Sequence, residues 1–241
     1  MSERQSFVLD GRDVPFAEGQ TIMQAAAAAG IYIPHLCYRP EFAPHGSCKV
    51  CSVKVGNGFT SACFEPARDG LVVESDTDEV CALRRSVVQM LFAEGNHYCP
   101  FCEKSGNCEL QAVAYYLGME DTHYPHLYPQ RDLDASHPDA LIDYDRCILC
   151  ELCVRASRDL DHKSVFSIAG RGHGAHLVVN SESGRLGDTA FSVSDRAAHV
   201  CPVGAILIKR QGFSIPIGRR LYDHRDIAVV GHRRPDDEPD P

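Results

Sequence analysis

An α+β chain of small consecutive modules is predicted by three features of the sequence. Residues 6–16 hold two strand-like runs around Asp10-Gly11. Residues 76–94 place apolar side chains at three- and four-residue steps. Eleven of the twelve cysteines fall into three groups that divide the 241 residues between them. The hydrophobic fraction of 44% is ordinary for a globular protein. A formal charge of -9 and the lack of a Lys/Arg-rich tract argue against nucleic acid as a partner. No apolar run approaches the ~18 residues of a membrane span, and the first residues show no apolar signal segment. A reducing cytoplasm is therefore expected, where grouped cysteines serve metals more often than disulfides.

Ser6–Leu9 and Asp13–Phe16 read as strands joined by Asp10-Gly11, a dipeptide suited to a tight hairpin. Thr21 is placed to cap a helix from Ile22 to Ala29, which Gly30 ends. An irregular stretch from Pro34 to Cys51 follows. Strands are then expected at Val53–Val55, Phe59–Ala62 and Leu71–Val73, and this order around a cysteine loop suggests a β-grasp domain. The periodic helix Asp76–Glu94 directs Val80, Leu83, Val87, Val88, Leu91 and Phe92 to one side. A helix is expected at Glu109–Leu117 and a linker or an extended arm at residues 121–140. The end, Arg233–Pro241, is rich in proline and acid and reads as disordered.

Cys37, Cys48, Cys51 and Cys63 are spaced C-x10-C-x2-C-x11-C. Four thiolates satisfy a [2Fe–2S] centre, and Gly46 lets backbone amides approach the sulfurs. A four-cysteine zinc site is the other reading, although it usually brings two C-x2-C knuckles and only one is present. With the sulfurs complete, His35 and His45 are bystanders. Cys99, Cys102 and Cys108 supply three ligands for a [4Fe–4S] centre that needs a fourth. His97 is the nearest candidate, and Cys81, within the apolar helix, is the only spare thiol.

Cys147, Cys150 and Cys153 form C-x2-C-x2-C. In bacterial ferredoxins this run continues x3-C-P, and the fourth cysteine ligates the other cluster. That position here is Ser157, followed by Arg158. Counting back from Cys201-Pro202, the corresponding places of a second motif hold Phe191, Ser194 and Ala197. The second motif has kept only its fourth ligand, so Cys201 completes the first, giving one [4Fe–4S] site on a two-cluster scaffold. Gly170-Arg171-Gly172-His173-Gly174-Ala175 matches a dinucleotide loop by letters but has no strand–turn–helix context, so a structural turn is expected. The expected division has four parts. A β-grasp [2Fe–2S] ferredoxin domain (1–78) comes first. A small helical domain (79–120) follows, its [4Fe–4S] cluster held by one histidine and three cysteines. A bacterial-ferredoxin-like [4Fe–4S] domain (121–211) and a C-terminal interface arm and tail (212–241) complete the chain.

The C-x10-C-x2-C pattern, followed by Cys99-Pro100-Phe101-Cys102-Glu103-Lys104-Ser105-Gly106-Asn107-Cys108-Glu109-Leu110-Gln111, resembles the N-terminal region of the large iron–sulfur subunit of respiratory complex I. The same architecture occurs in [FeFe]-hydrogenases. Both relatives continue into large catalytic domains, whereas this sequence ends at residue 241. It most resembles the small iron–sulfur subunit of the diaphorase part of soluble NAD-reducing [NiFe]-hydrogenases. That resemblance implies an electron relay with no catalytic residues of its own. It also implies a flavin/NAD-binding diaphorase subunit and the small and large [NiFe]-hydrogenase subunits as partners, which would carry FMN, NAD and the Ni–Fe centre. The same relay in an NAD-dependent formate dehydrogenase or a complex-I-like assembly is the alternative, and a zinc-stabilised interaction scaffold is a distant one. Complex I relatives place the ligating histidine as H-x3-C. That position here is Gly95, so the role of His97 requires a local shift of the loop.

Overall fold

The computed structural model describes residues 5–231; the expected tail at 233–241 lies outside the described residues. The chain divides into two units, one ending at Gln89 and the other beginning at Met90. Among the described residues no helix is long and apolar enough to cross a membrane.

The first unit grows from the hairpin of β1 (Ser6–Leu9) and β2 (Arg12–Pro15), turned by Asp10 and Gly11, both with positive φ. Phe7 and Leu9 alternate inward from β1. Helix α1 (Ile22–Ala28) starts in a capping box: the Thr21 hydroxyl accepts from the Gln24 amide, and the Gln24 side chain accepts from the Thr21 amide. Strands β3 (Ser52–Val55), β4 (Gly58–Ser61) and β5 (Val72–Glu74) complete a sheet of order β2-β1-β5-β3-β4, with β1 and β5 parallel and the other pairs antiparallel. Ile22, Met23, Ala25 and Ala26 of α1 join Phe7, Leu9, Val14, Val53 and Val73 in one core. This is the β-grasp arrangement. The Asp10 carboxylate accepts from the amides of Ser75 and Asp76, fixing the approach to helix α2 (Asp78–Glu94).

Periodicity misjudged one face of α2. Val80 and Val88 are buried as expected, but Leu83 and Val87 are only half-buried and Arg84 lies in the interior. Its guanidinium donates to the carbonyls of Ser52 and Ser75 and to the Ser75 hydroxyl, all at 2.8–2.9 Å. A cation that crosses a core to satisfy carbonyls is invisible to an apolar count.

The second unit continues with α3 (Glu109–Tyr116) and an irregular arm. Strands β6 (Leu133–Asp134) and β7 (Ala140–Asp143) come next, then α4 (Leu152–Asp159). The hairpin β8 (Phe166–Ala169) and β9 (His176–Val179) precedes α5 (Arg196–His199) and β10 (Ile206–Ile208), which pairs with β7 in a sheet of order β10-β7-β6. The glycine-rich segment 170–175 is the β8–β9 connection. A Cβ at Gly170, which has φ +74°, would lie 2.2 Å from the Gly174 carbonyl oxygen. It leads into a strand and not a helix, as a structural turn should.

The positions of the lost second cysteine motif are absorbed into packing. The Phe191 ring meets Phe166 and His137 edge-on, Ala197 is buried, and the buried Ser157 hydroxyl accepts from the Val165 amide. Asp195 receives Lys163 at 2.6 Å.

The C-terminal arm, expected to pack on a partner, also docks on this chain. The Tyr222 amide donates to the Gly106 carbonyl, Leu221 to the Asn107 side chain, and Arg220 to the Ser105 carbonyl. The short helix α6 (Ile227–Val230) touches α3 and buries Ile227. Phe213 and Ile217 stay exposed.

Replacing Arg84 with methionine keeps the stem but leaves three buried acceptors without donors. The expected loss is about 2–4 kcal/mol of stability, read as a lower denaturant midpoint at unchanged slope; a loss below about 1 kcal/mol would contradict the assignment.

Candidate metal centres

The structure gathers the predicted donors into three groups. In the first unit Cys37, Cys48, Cys51 and Cys63 are all buried within the β-grasp domain, on the loop after α1 and at the ends of β3 and β4. The Cys48 thiol donates to Cys37 and the Cys51 thiol to Cys63, which holds Cys37 down to about 5 and pushes Cys51 well up. The Cys48 amide lies 3.5 Å from Cys37 Sγ, and the amides of Ser47 and Gly46 are directed at Cys37 and Cys63. Gly46 and Lys49, both with positive φ, turn these amides inward. Such a cradle of N–H groups suits thiolates, whose negative charge it offsets away from water.

In the second unit His97, Cys99, Cys102 and Cys108 line one cavity of about 320 Å³, counting its mouth, together with Phe92, Arg146 and Gly204. Cys99 begins a single 3₁₀ turn with Pro100, and Cys108 precedes the first residue of α3, whose amide bonds the Pro202 carbonyl. Burial raises Cys108 to about 12. Burial also pushes the His97 imidazole down to about 4, with the charges of Arg146 and His126 adding to it. Its Nε2 is buried and has no hydrogen-bond partner. A neutral imidazole with an unpartnered buried nitrogen in a cavity lined by three thiols fits a metal ligand.

Gly95, which stands where the H-x3-C spacing would put a histidine, lies against the His97 ring. A Cβ there would lie 2.4 Å from His97 Nε2 and 2.7 Å from its Cδ2. The ring of His97 fills the space that a side chain at residue 95 would take. The ring of His97 thus packs against the backbone of Gly95. Cys81, the rival donor, belongs to the first unit, half-buried on α2, with its thiol 3.8 Å from the Asp76 carboxylate.

Cys147, Cys150, Cys153 and Cys201 line a second cavity, of about 350 Å³ with its mouth, walled by Ile148, Ile168, Leu177, Val203 and Ile206. Leu149 (φ 51°) and Glu151 (φ 59°) flank Cys150 in the left-handed region, which is sparsely populated for such residues. The turn directs the Leu149 amide at Cys147, and burial nonetheless raises that thiol to about 11. Thiols so far above neutral give up their protons to a metal and not to water. Among the described residues no three such side chains converge closely enough to hold a bare ion. In both cavities the donors ring a volume, which fits a multi-atom cluster. Sequence reasoning missed Arg146 and Gly204 at the central site; the spacing of cysteines carries no signal for either.

Three iron–sulfur family models match successive parts of the chain. Residues 2–78 match a 2Fe-2S iron–sulfur cluster binding domain, residues 84–123 the NADH-ubiquinone oxidoreductase-G iron–sulfur binding region, and residues 141–208 a 4Fe-4S single cluster domain. The gamma subunit of the NAD-reducing hydrogenase HoxS of Cupriavidus necator is 40% identical over 92% of this chain and 94% of its own length. The chain belongs to the gamma-subunit family of NAD-reducing hydrogenases. A chain in the crystal structure of an NAD+-reducing [NiFe]-hydrogenase in the H2-reduced state is 52% identical to this gamma-type chain. It superposes with a TM-score of 0.91 over 93% of this chain and 95% of the other. The mitochondrial 78 kDa subunit of NADH-ubiquinone oxidoreductase of Candida albicans is 31% identical, and this chain spans 28% of it.

Gly95→Ala is expected to push the His97 ring out of its cavity. In protein reconstituted with iron and sulfide, bound iron should fall by about four atoms per chain, one cubane's complement; unchanged iron would show that the ring is not needed there.

Proposed function

We propose that this chain is the electron-relay subunit of a cytoplasmic NAD-reducing hydrogenase, with three clusters. The [2Fe–2S] centre is held by Cys37, Cys48, Cys51 and Cys63. One [4Fe–4S] centre is held by His97, Cys99, Cys102 and Cys108, and the other by Cys147, Cys150, Cys153 and Cys201. The domain divisions 1–78, 79–120, 121–211 and 212–241 are part of the same reading. The observation that carries it is the gathering of twelve donors, at the predicted positions, into three sets of four, two of which ring cavities. Bound clusters supply single-electron transfer, and flavins pair electrons into hydride, so the relay connects a hydrogen-splitting [NiFe] partner to a flavin/NAD partner.

The chain's own residues exclude water and aim amides. Ile148, Val203 and Ile206 shield the third set, while the amides of Gly46, Ser47 and Cys48 serve the first. Phe92 shields the central set, meeting His97 edge-on with centroids 5.4 Å apart. The docked C-terminal segment covers the loop that carries Ser105, Gly106 and Asn107.

Protein purified without oxygen should contain about ten iron atoms per chain, two plus four plus four, with matching acid-labile sulfide. Nickel and flavin should co-purify with the complex; zinc in place of iron would end the reading, and a nickel-free partner would reassign the assembly. Ending the chain after Gln211 uncovers the central loop, and iron is expected to drop from about ten towards six; retention of all ten would show that the segment serves only partner binding.

A further inference from the structure

Arg146 occupies the wall between the two cavities of the second unit. Its backbone precedes Cys147, a donor of the third set, while its side chain lines the central cavity. Nη1 lies 3.5 Å from Cys102 Sγ. The same nitrogen meets Glu103 Oε2 at 2.9 Å and the Gly204 carbonyl at 3.5 Å, and Nε meets Asp143 Oδ2 at 2.7 Å. Two carboxylates on different segments thus fix the guanidinium, which is only one-fifth exposed. The wall is thin. Gly204 lines the central cavity while its neighbours Val203 and Ala205 line the third, and a Cβ at Gly204 would lie 2.9 Å from Cys102 Sγ and 3.3 Å from Arg146 Nη1.

We propose that Arg146 is a positioning residue that raises the reduction potential of the central cluster by donating a hydrogen bond and a fixed positive charge to Cys102. The proposal rests on the reading of Cys102 as a cluster ligand. A reduced cluster carries one more negative charge than the oxidised one, so N–H donation to a ligating sulfur and a nearby cation both favour reduction. A guanidinium stays protonated at any working pH, so the effect is permanent and not a switch. Glu103 and Asp143 moderate the charge and aim it: they hold Nη1 towards the sulfur in place of a solvent-exposed arrangement.

A purely structural clamp would bind the same carboxylates and leave the potential unmoved. The test is an EPR-monitored redox titration, with iron determination, of the oxygen-free complex in wild-type, Arg146→Gln and Arg146→Lys forms. With iron retained, Arg146→Gln is expected to shift the central cluster's midpoint to more negative values while the [2Fe–2S] midpoint stays put. Arg146→Lys keeps the charge without the planar fork, and its midpoint should fall between the other two. Full iron with unmoved midpoints in the variants overturns the proposal. If Arg146→Gln sheds the central iron, Arg146→Lys decides: a lowered midpoint supports the role and an unchanged one removes it. Wild-type protein lacking four of the ten irons would instead overturn the ligand reading, and the proposal with it.

Discussion

Burying sulfur is the constraint on which this molecule is built. A thiolate away from water is tolerated only where a metal and directed N–H groups answer its charge. The first and third candidate centres meet that demand through unusual backbone: Gly46 and Lys49 in one, Leu149 and Glu151 in the other. The regular elements serve mainly to hold these loops still. The β-grasp sheet and α1 brace the loop from Cys37 to Cys51, and the β7–β10 pair fixes the return of the chain after Cys201.

The second unit couples its two centres through shared covalent structure. The segment from Cys201 to Ile206 gives a sulfur and apolar walls to one cavity and Gly204 to the other. The carbonyl of Pro202 accepts the first amide of α3, directly after Cys108. Arg146 reverses the pattern, with a backbone at the third set and a side chain at the central one.

Much of this was legible in the sequence, for a physical reason: ligands to one cluster must recur at spacings that a tight loop can close, and such spacings survive as letters. That Cys201 would lie with Cys147, Cys150 and Cys153 at one cavity could be expected because Phe191, Ser194, Ala197 and Ser157 stand where four cysteines would stand. The hairpin and the α1 cap were legible through Asp10-Gly11 and Thr21. What stayed hidden depends on tertiary placement. Arg84 reads as a surface residue until Ser52 and Ser75 present their carbonyls to it. The exchange of Gly95 for a side chain at position 97 is meaningful only once the ring is seen filling the gap. The self-docking of Leu221 and Tyr222 has no periodic signature, since it runs through single hydrogen bonds to the Gly106 loop.

The distance in sequence between Cys153 and Cys201 has a consequence for biogenesis. The first set is complete once residue 63 has been synthesised, and a compact sheet can close over it soon after. The third set cannot be complete until Cys201 has emerged, and the covering of the central loop waits for residues 220–231. On the proposed reading of these residues as ligands, the run Cys147–Cys153 alone would supply three of the four sulfurs. The three candidate sets therefore become complete in chain order, at residues 63, 108 and 201, and only the first precedes most of the chain.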